Sequence, residues 1–350
     1  MSKTSASELG QPLADQQSPA KVYLAFPDAV ACRTAFLDLV KQTNEPETFP
    51  GLAHYPPPTK DAVFLLVVDE FVVDPSKRPD GEFIRCAACA TRKKFKRGSL
   101  AWYPAEGVLR VVGNDCGDER RTEAVADYKR RSTLAVVNDY LDEHLPTVHP
   151  DILACEALRP AVRHAQELSL QLKTQGKAFC LAVNKAAKDG DGSLRIFLRE
   201  VVEGVSDSRV MTTFNPSGLN FLKASFTPLR RLDEAIFRLR QADRGSPSKA
   251  RRWLGSHREK LADLDAVYAN LTTAKAKLRE VQGLIQQALA FLAEENIQGV
   301  DAWATAHGSQ VRAEWSPIFI VFRGRPIGGG TMQMTSLRPN WKLLRAAAGA

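Results

Sequence analysis

Cys86 and Cys89, three positions apart, followed by Cys116, constrain this chain more than any other feature. The spacing Cys86-Ala-Ala-Cys89 lets two thiolates from one tight turn reach a single tetrahedral ion. Phe83 and Ile84 read as a strand leading into that turn. A hairpin pattern then separates the pair from Cys116: Ser99 to Tyr103, a turn at Pro104 to Gly107, and Val108 to Gly113. Cys116 stands where a helical pattern begins, so the intervening residues are expected to fold back and return the third thiol to the first two.

The order of knuckle, hairpin and helix resembles a treble-clef zinc finger over about residues 83–125. The resemblance implies a structural zinc ion and a second ligand pair astride the first turn of the helix. In treble clefs a Cys or His is expected three or four residues after Cys116; this chain has Glu119 and Arg120 there. The knuckle together with Val112-Gly113-Asn114-Asp115-Cys116-Gly117 is also similar to uncharacterised bacterial proteins, a likeness that implies a zinc module and no particular activity. Three readings follow. Zinc is held by Cys86, Cys89, Cys116 and an oxygen of Glu119 or Asp118, since carboxylates are acceptable zinc ligands. Alternatively the fourth ligand is a remote histidine, His54, His144 or His149, or the module is a metal-free relic. Structural zinc is the favoured cofactor. A redox pair fits less well, because the residues after Cys89 lead into a hairpin rather than a helix.

The charge of the module points to a partner. Residues 85–131 hold twelve Lys or Arg against six Asp or Glu, a surplus of six within a whole-chain net charge of +8. Arg92, Lys93, Lys94, Lys96 and Arg97 interleave with Phe95, and Arg120 and Arg121 open the next helix. On one face these would bind phosphates with release of counterions. Trp102 and Tyr103 alternate along a strand, so one of them, Trp102 in the favoured set, is expected to offer a stacking surface to unpaired bases.

Beyond the module, the pattern predicts an α+β protein. A disordered tail is expected over 1–20 and an N-terminal α+β region over 21–150, with the Cys module at 81–121. That region is expected to open β-α-β, with strands at 21–26 and 62–73 around a helix at 28–42. Asp69 and Glu70 interrupt the second strand and mark a strand end or an exposed edge. Residues 118–145 read as a helix. A helix at about 151–173 and a β-meander at 178–184, 194–202 and 208–214 fill 151–225. A helical hairpin spans 226–297, its apolar positions stepping by three and four from Leu261 to Leu292. That stripe, over residues 250–295, is expected to bury against its partner helix, or to recruit a protein partner or a second copy. A β-hairpin and tail complete 298–350.

Cys32, Cys155 and Cys180 lie in apolar surroundings and read as core residues. Cysteine use without a disulfide pattern, and an N-terminus lacking an export signal, lead to the expectation of a cytoplasmic, bacterial-type protein with no membrane partner. No complete catalytic motif is found, and a non-enzymatic role is favoured. The expected function is a zinc-binding accessory protein associated with DNA or RNA. The alternative is a zinc-stabilised adaptor that binds a protein through its helical face.

Overall fold

The computed structural model describes residues 20–59, 61–78, 81–89, 93–114, 118–202, 205–306, 309–326 and 329–349. The tail expected over 1–20 thus lies outside the described residues except for Ala20. The chain forms two compact units, Met1–Val136 and Val137–Ala350. Both combine helices with small antiparallel sheets, an α+β architecture.

The first unit contains helix α1 (Ala29–Thr43), strand β1 (Leu65–Val72), and the short strands β2 (Ile84–Arg85) and β3 (Lys94–Phe95). The hairpin β4 (Arg97–Tyr103) and β5 (Val108–Gly113) follows, and then helix α2 (Asp118–His144), whose C-terminal end belongs to the second unit. Strands β1, β4 and β5 form an antiparallel sheet in that order. Asp28 starts α1 by accepting the Val30 N–H at 3.1 Å, which satisfies one of the helix's orphan donors. The apolar face of α1 places Phe36 edge-on to Phe49 and Phe71, with ring centroids 5.4 and 5.3 Å away. Burial of such a ring contributes about 2 kcal/mol. Asp69 and Glu70 sit at a register shift between Val68 and Phe71, and β1 is an edge strand. The irregularity keeps both carboxylates out of the core without ending the strand.

The β-α-β opening is not formed. Residues 21–26 carry two isolated backbone bonds, Lys21 N–H to Gly51 O at 3.1 Å and Tyr23 N–H to Gly107 O at 2.6 Å, instead of a ladder. Leu24, within the expected strand, is 99% exposed. The segment's backbone partners are the carbonyls of Gly51 and Gly107 rather than a neighbouring strand, so its alternation extends no ladder.

In the second unit α3 (Val148–Gln175) is followed by α4 (Lys177–Asp189), the hairpin β6 (Leu194–Val202) and β7 (Val205–Phe214), and α5 (Pro228–Ala242). Next come α6 (Pro247–His257), α7 (Leu261–Leu292), α8 (Glu294–Ala306), strands β8 (Val311–Trp315), β9 (Ile320–Gly324) and β10 (Gln333–Leu337), and α9 (Trp341–Gly349). Residues 178–184, expected as a strand, lie within α4. The run Ala178 to Val183 is compatible with either state by hydrophobicity, but the buried Phe179, Val183 and Ala187 recur at helical spacing. The expected meander is therefore a two-stranded hairpin.

Helix α5 packs against both α3 and α7. The stripe of α7, from Leu264 and Leu271 to Ile285 and Ala288, is buried within the unit. The strand pair expected near the C-terminus is present and gains a third member, in the order β10-β9-β8. Phe179, Phe322, Phe291 and Phe221 form a continuous line of ring contacts, with centroids 4.8 to 6.3 Å apart, that joins α4, β9 and α7. Among the described residues no helix is long and apolar enough to cross a membrane.

Candidate metal centre and its basic surface

The knuckle is a two-stranded hairpin with no core of its own. Ile84 pairs with Phe95 and Arg85 with Lys94, and the Cys86 N–H extends the ladder to Lys93 O at 2.9 Å. Phe95 attaches this hairpin to the main sheet. Gly98 of β4 faces Gly113 of β5, and the Phe95 ring lies where their side chains would stand. A Cβ on Gly98 would run into that ring, and one on Gly113 would meet it at 3.0 Å. The glycine pair is thus a seat for an aromatic ring, which restores the packing that two glycines in a sheet forfeit.

The same seat brings a backbone donor to sulfur. Ala87 N–H bonds Val111 O at 3.0 Å, fixing the turn against β5. Gly113 N–H points at Cys86 Sγ at 3.5 Å. Cys86 is buried and Cys89 half-buried. The thiolate is the form that binds metal, and an N–H directed at sulfur is a contact that form can accept. In the sequence Cys116 follows Gly113 by three positions. Cys116 lies outside the described residues, as do the side chains of Asp118 and Glu119. Among the described residues no three His, Cys, Asp or Glu side chains gather as a metal-binding group.

Of the remote histidines, His54 belongs to the first unit, beside Ala53, whose N–H bonds Leu109 O at 2.8 Å. His144 and His149 belong to the second unit. There the His144 ring packs on Tyr140 at 4.3 Å, and His149 Nδ1 lies 3.1 Å from Asp243 Oδ2.

The basic residues divide into two groups. Lys93, Lys96 and Arg97 are exposed, and Lys94 is ion-paired with Glu82 at 2.7 Å. Arg85, which the sequence reading passed over, is exposed on β2 directly opposite Lys94. The alternation of β2 with its buried neighbours Ile84 and Cys86 was the signal that could have found it. Arg92 and the side chain of Arg120 lie outside the described residues. Arg121, expected on the phosphate-binding face, faces inward instead. Its guanidinium donates to Ser99 Oγ at 2.7 Å and to Asp69 O at 3.5 Å. Arg131 likewise donates to Leu66 O at 2.9 Å. Both carbonyls belong to the edge strand β1, whose outer backbone groups need donors that another strand would otherwise supply.

The stacking surface expected at Trp102 is also absent. Trp102 is 8% exposed and Tyr103 3%, because β4 is the central strand and is covered on both faces. The indole packs edge-on to Phe26 at 5.5 Å, and among the described residues its Nε1 has no hydrogen-bond partner.

The other described cysteines differ in kind. Burial pushes the Cys155 thiol up to about 11 and the Cys180 thiol up to about 12. Cys180 donates its S–H to Leu172 O at 3.6 Å, so it is held as a neutral thiol where Cys86 accepts a donor. No protein-family model matches the chain, and no match is found among curated proteins or solved structures.

Proposed function

We propose that the first unit is a zinc-stabilised module that docks on the phosphates of a nucleic acid. The observation that carries this reading is the Gly113 N–H directed at Cys86 Sγ, at the end of the strand that leads in sequence to Cys116. Zinc bound there would cross-link the knuckle to the start of α2, a connection that a hairpin of this size needs from outside its own core. Exposed Arg85, Lys93, Lys96 and Arg97 supply the phosphate-binding charge beside it. With Trp102 buried, recognition rests on charge rather than on base stacking, so DNA and RNA, single or double, are expected to bind with similar affinity. Cover of the α7 stripe inside the second unit supports this reading over the helical-adaptor alternative.

Elemental analysis of tag-free protein tests the metal, and fluorescent oligonucleotides across a salt series test the partner. One zinc per chain, and affinity that falls steeply with salt, are expected. Replacing Lys93, Lys96 and Arg97 by Glu should abolish binding while zinc stays bound. Metal-free native protein overturns the zinc half of the proposal, and salt-insensitive or absent binding overturns the other.

A further inference from the structure

A groove of 460 Å³ opens in the second unit between the start of α8, the β8–β9 turn and α9. Its volume lies within the range of about 300–1,000 Å³ usual for small-molecule sites. Trp315 and Trp341 line it with ring centroids 6.5 Å apart. Both indole N–H groups are already used, Trp315 Nε1 on Leu292 O at 3.1 Å and Trp341 Nε1 on Pro317 O at 2.8 Å. The rings are therefore fixed in place, and what they offer the groove is carbon surface and π-electron density rather than donors. Leu289 and Pro317 extend the apolar lining.

Three charged residues complete the wall: Glu294, whose carboxylate already accepts from Gln298 Nε2 at 2.9 Å, and the opposite charges of Glu295 and Arg345. Glu295 lies in the first turn of α8, and Arg345 follows Trp341 by one turn on α9, hence on the same helical face. Glu295 and Arg345 are exposed, and among the described residues neither side chain has an ion-pair or hydrogen-bond partner. The N-terminal end of α8 explains a carboxylate at Glu295. It does not explain why a guanidinium lines the same groove without closing on that carboxylate. We infer that this groove binds a compact zwitterion with an apolar body, of the α-amino-acid type. The ammonium would sit against the indole faces and Glu295, and the carboxylate on Arg345.

The probe is L-phenylalanine, titrated into the full chain by calorimetry and followed through the indole N–H signals. Phenethylamine, which lacks the carboxylate, and 3-phenylpropanoate, which lacks the ammonium, serve as matched controls. Saturable binding of L-phenylalanine that moves the Trp315 and Trp341 signals is expected, with both controls weaker by about tenfold or more. Arg345→Gln should weaken L-phenylalanine by a similar factor and leave phenethylamine unchanged, and Glu295→Gln should weaken phenethylamine and leave 3-phenylpropanoate unchanged. Both substitutions are on exposed side chains, so the variants keep the fold. The inference is overturned by the absence of saturable binding at millimolar probe. It is equally overturned if phenethylamine matches L-phenylalanine and Arg345→Gln changes nothing, which would make the groove a cation site alone.

Discussion

The knuckle of the first unit and helix α9 of the second are both short elements without a core of their own, and they are docked by different means. The knuckle is held by a ring seated on two glycines and by a sulfur that accepts a backbone N–H. Helix α9 buries Leu344 and Ala347, and polar bonds fix its ends: Asn340 N–H to His164 Nε2 at 2.9 Å, and Gln282 Nε2 to Ala348 O at 3.1 Å. Apolar contacts fix position without reference to pH, whereas an imidazole acceptor works only while it is neutral. The difference predicts that the first attachment fails on loss of shape, or of the proposed metal, and the second on loss of a neutral imidazole.

The largest expected effect comes from Cys86→Ser. With one thiolate of the proposed site removed, the first unit should lose about 3 kcal/mol or more, together with its zinc, because metal binding and folding are one equilibrium in so small a module. Denaturant unfolding and metal content measured on the same sample check this. Cys180→Ala should cost about 1–2 kcal/mol through lost packing and leave the metal in place. Equal costs for the two substitutions would erase the distinction between an accepting and a donating sulfur.

A smaller effect is expected from Gly98→Val. The added side chain occupies the seat of the Phe95 ring, and overpacking of this kind costs about 1–3 kcal/mol. Hydrogen exchange of the Cys86 and Phe95 amides should accelerate well before that of the β4–β5 ladder. If the ladder and the knuckle lose protection together, the ring is part of the sheet's core and the knuckle is no separate attachment.

Which parts of this arrangement were legible in the sequence follows from the range of the interactions. Helices α2, α3 and α7 and the β4–β5 hairpin were legible, because a 3.6-residue period, or alternation closed by Pro104 to Gly107, is a local signal. Helix α4 was misread since a six-residue apolar run has no period of its own. The roles of Arg121 and Arg131 depend on β1 being an edge strand, and the seat of Phe95 depends on Gly98 falling opposite Gly113 in register. Neither is present in the sequence until the strands are paired. The burial of Trp102 is a consequence of the same pairing, which makes β4 the middle strand. Of the candidate site, the knuckle and its nearby cations were readable from spacing and composition. The donor at Cys86 Sγ was not, since it belongs to a strand 27 positions away in sequence.

The smallest effect sharpens the comparison from the other side. Burial holds the His164 imidazolium pKa below its usual value near 6.5, with nearby Glu167 opposing the shift. The unfolded chain therefore takes up this proton before the folded one does as pH falls. The stability associated with neutral His164 is complete above about pH 6.5 and is lost below it as the pH approaches the depressed folded value. Protonation also removes the acceptor for the Asn340 N–H and so loosens the start of α9, on which Trp341 and Arg345 stand. Denaturant midpoints at about pH 7.5 and about pH 5.5 should differ in the native protein, by less than the Gly98→Val effect because the ring is only half-buried. His164→Gln keeps an oxygen acceptor that does not titrate, and should remove His164's share of that pH dependence while leaving the midpoint at the higher pH nearly unchanged. An unaltered pH dependence in His164→Gln would mean that the imidazole does not hold the start of α9, which then rests on its apolar contacts and on bonds that do not titrate, such as Gln282 Nε2 to Ala348 O.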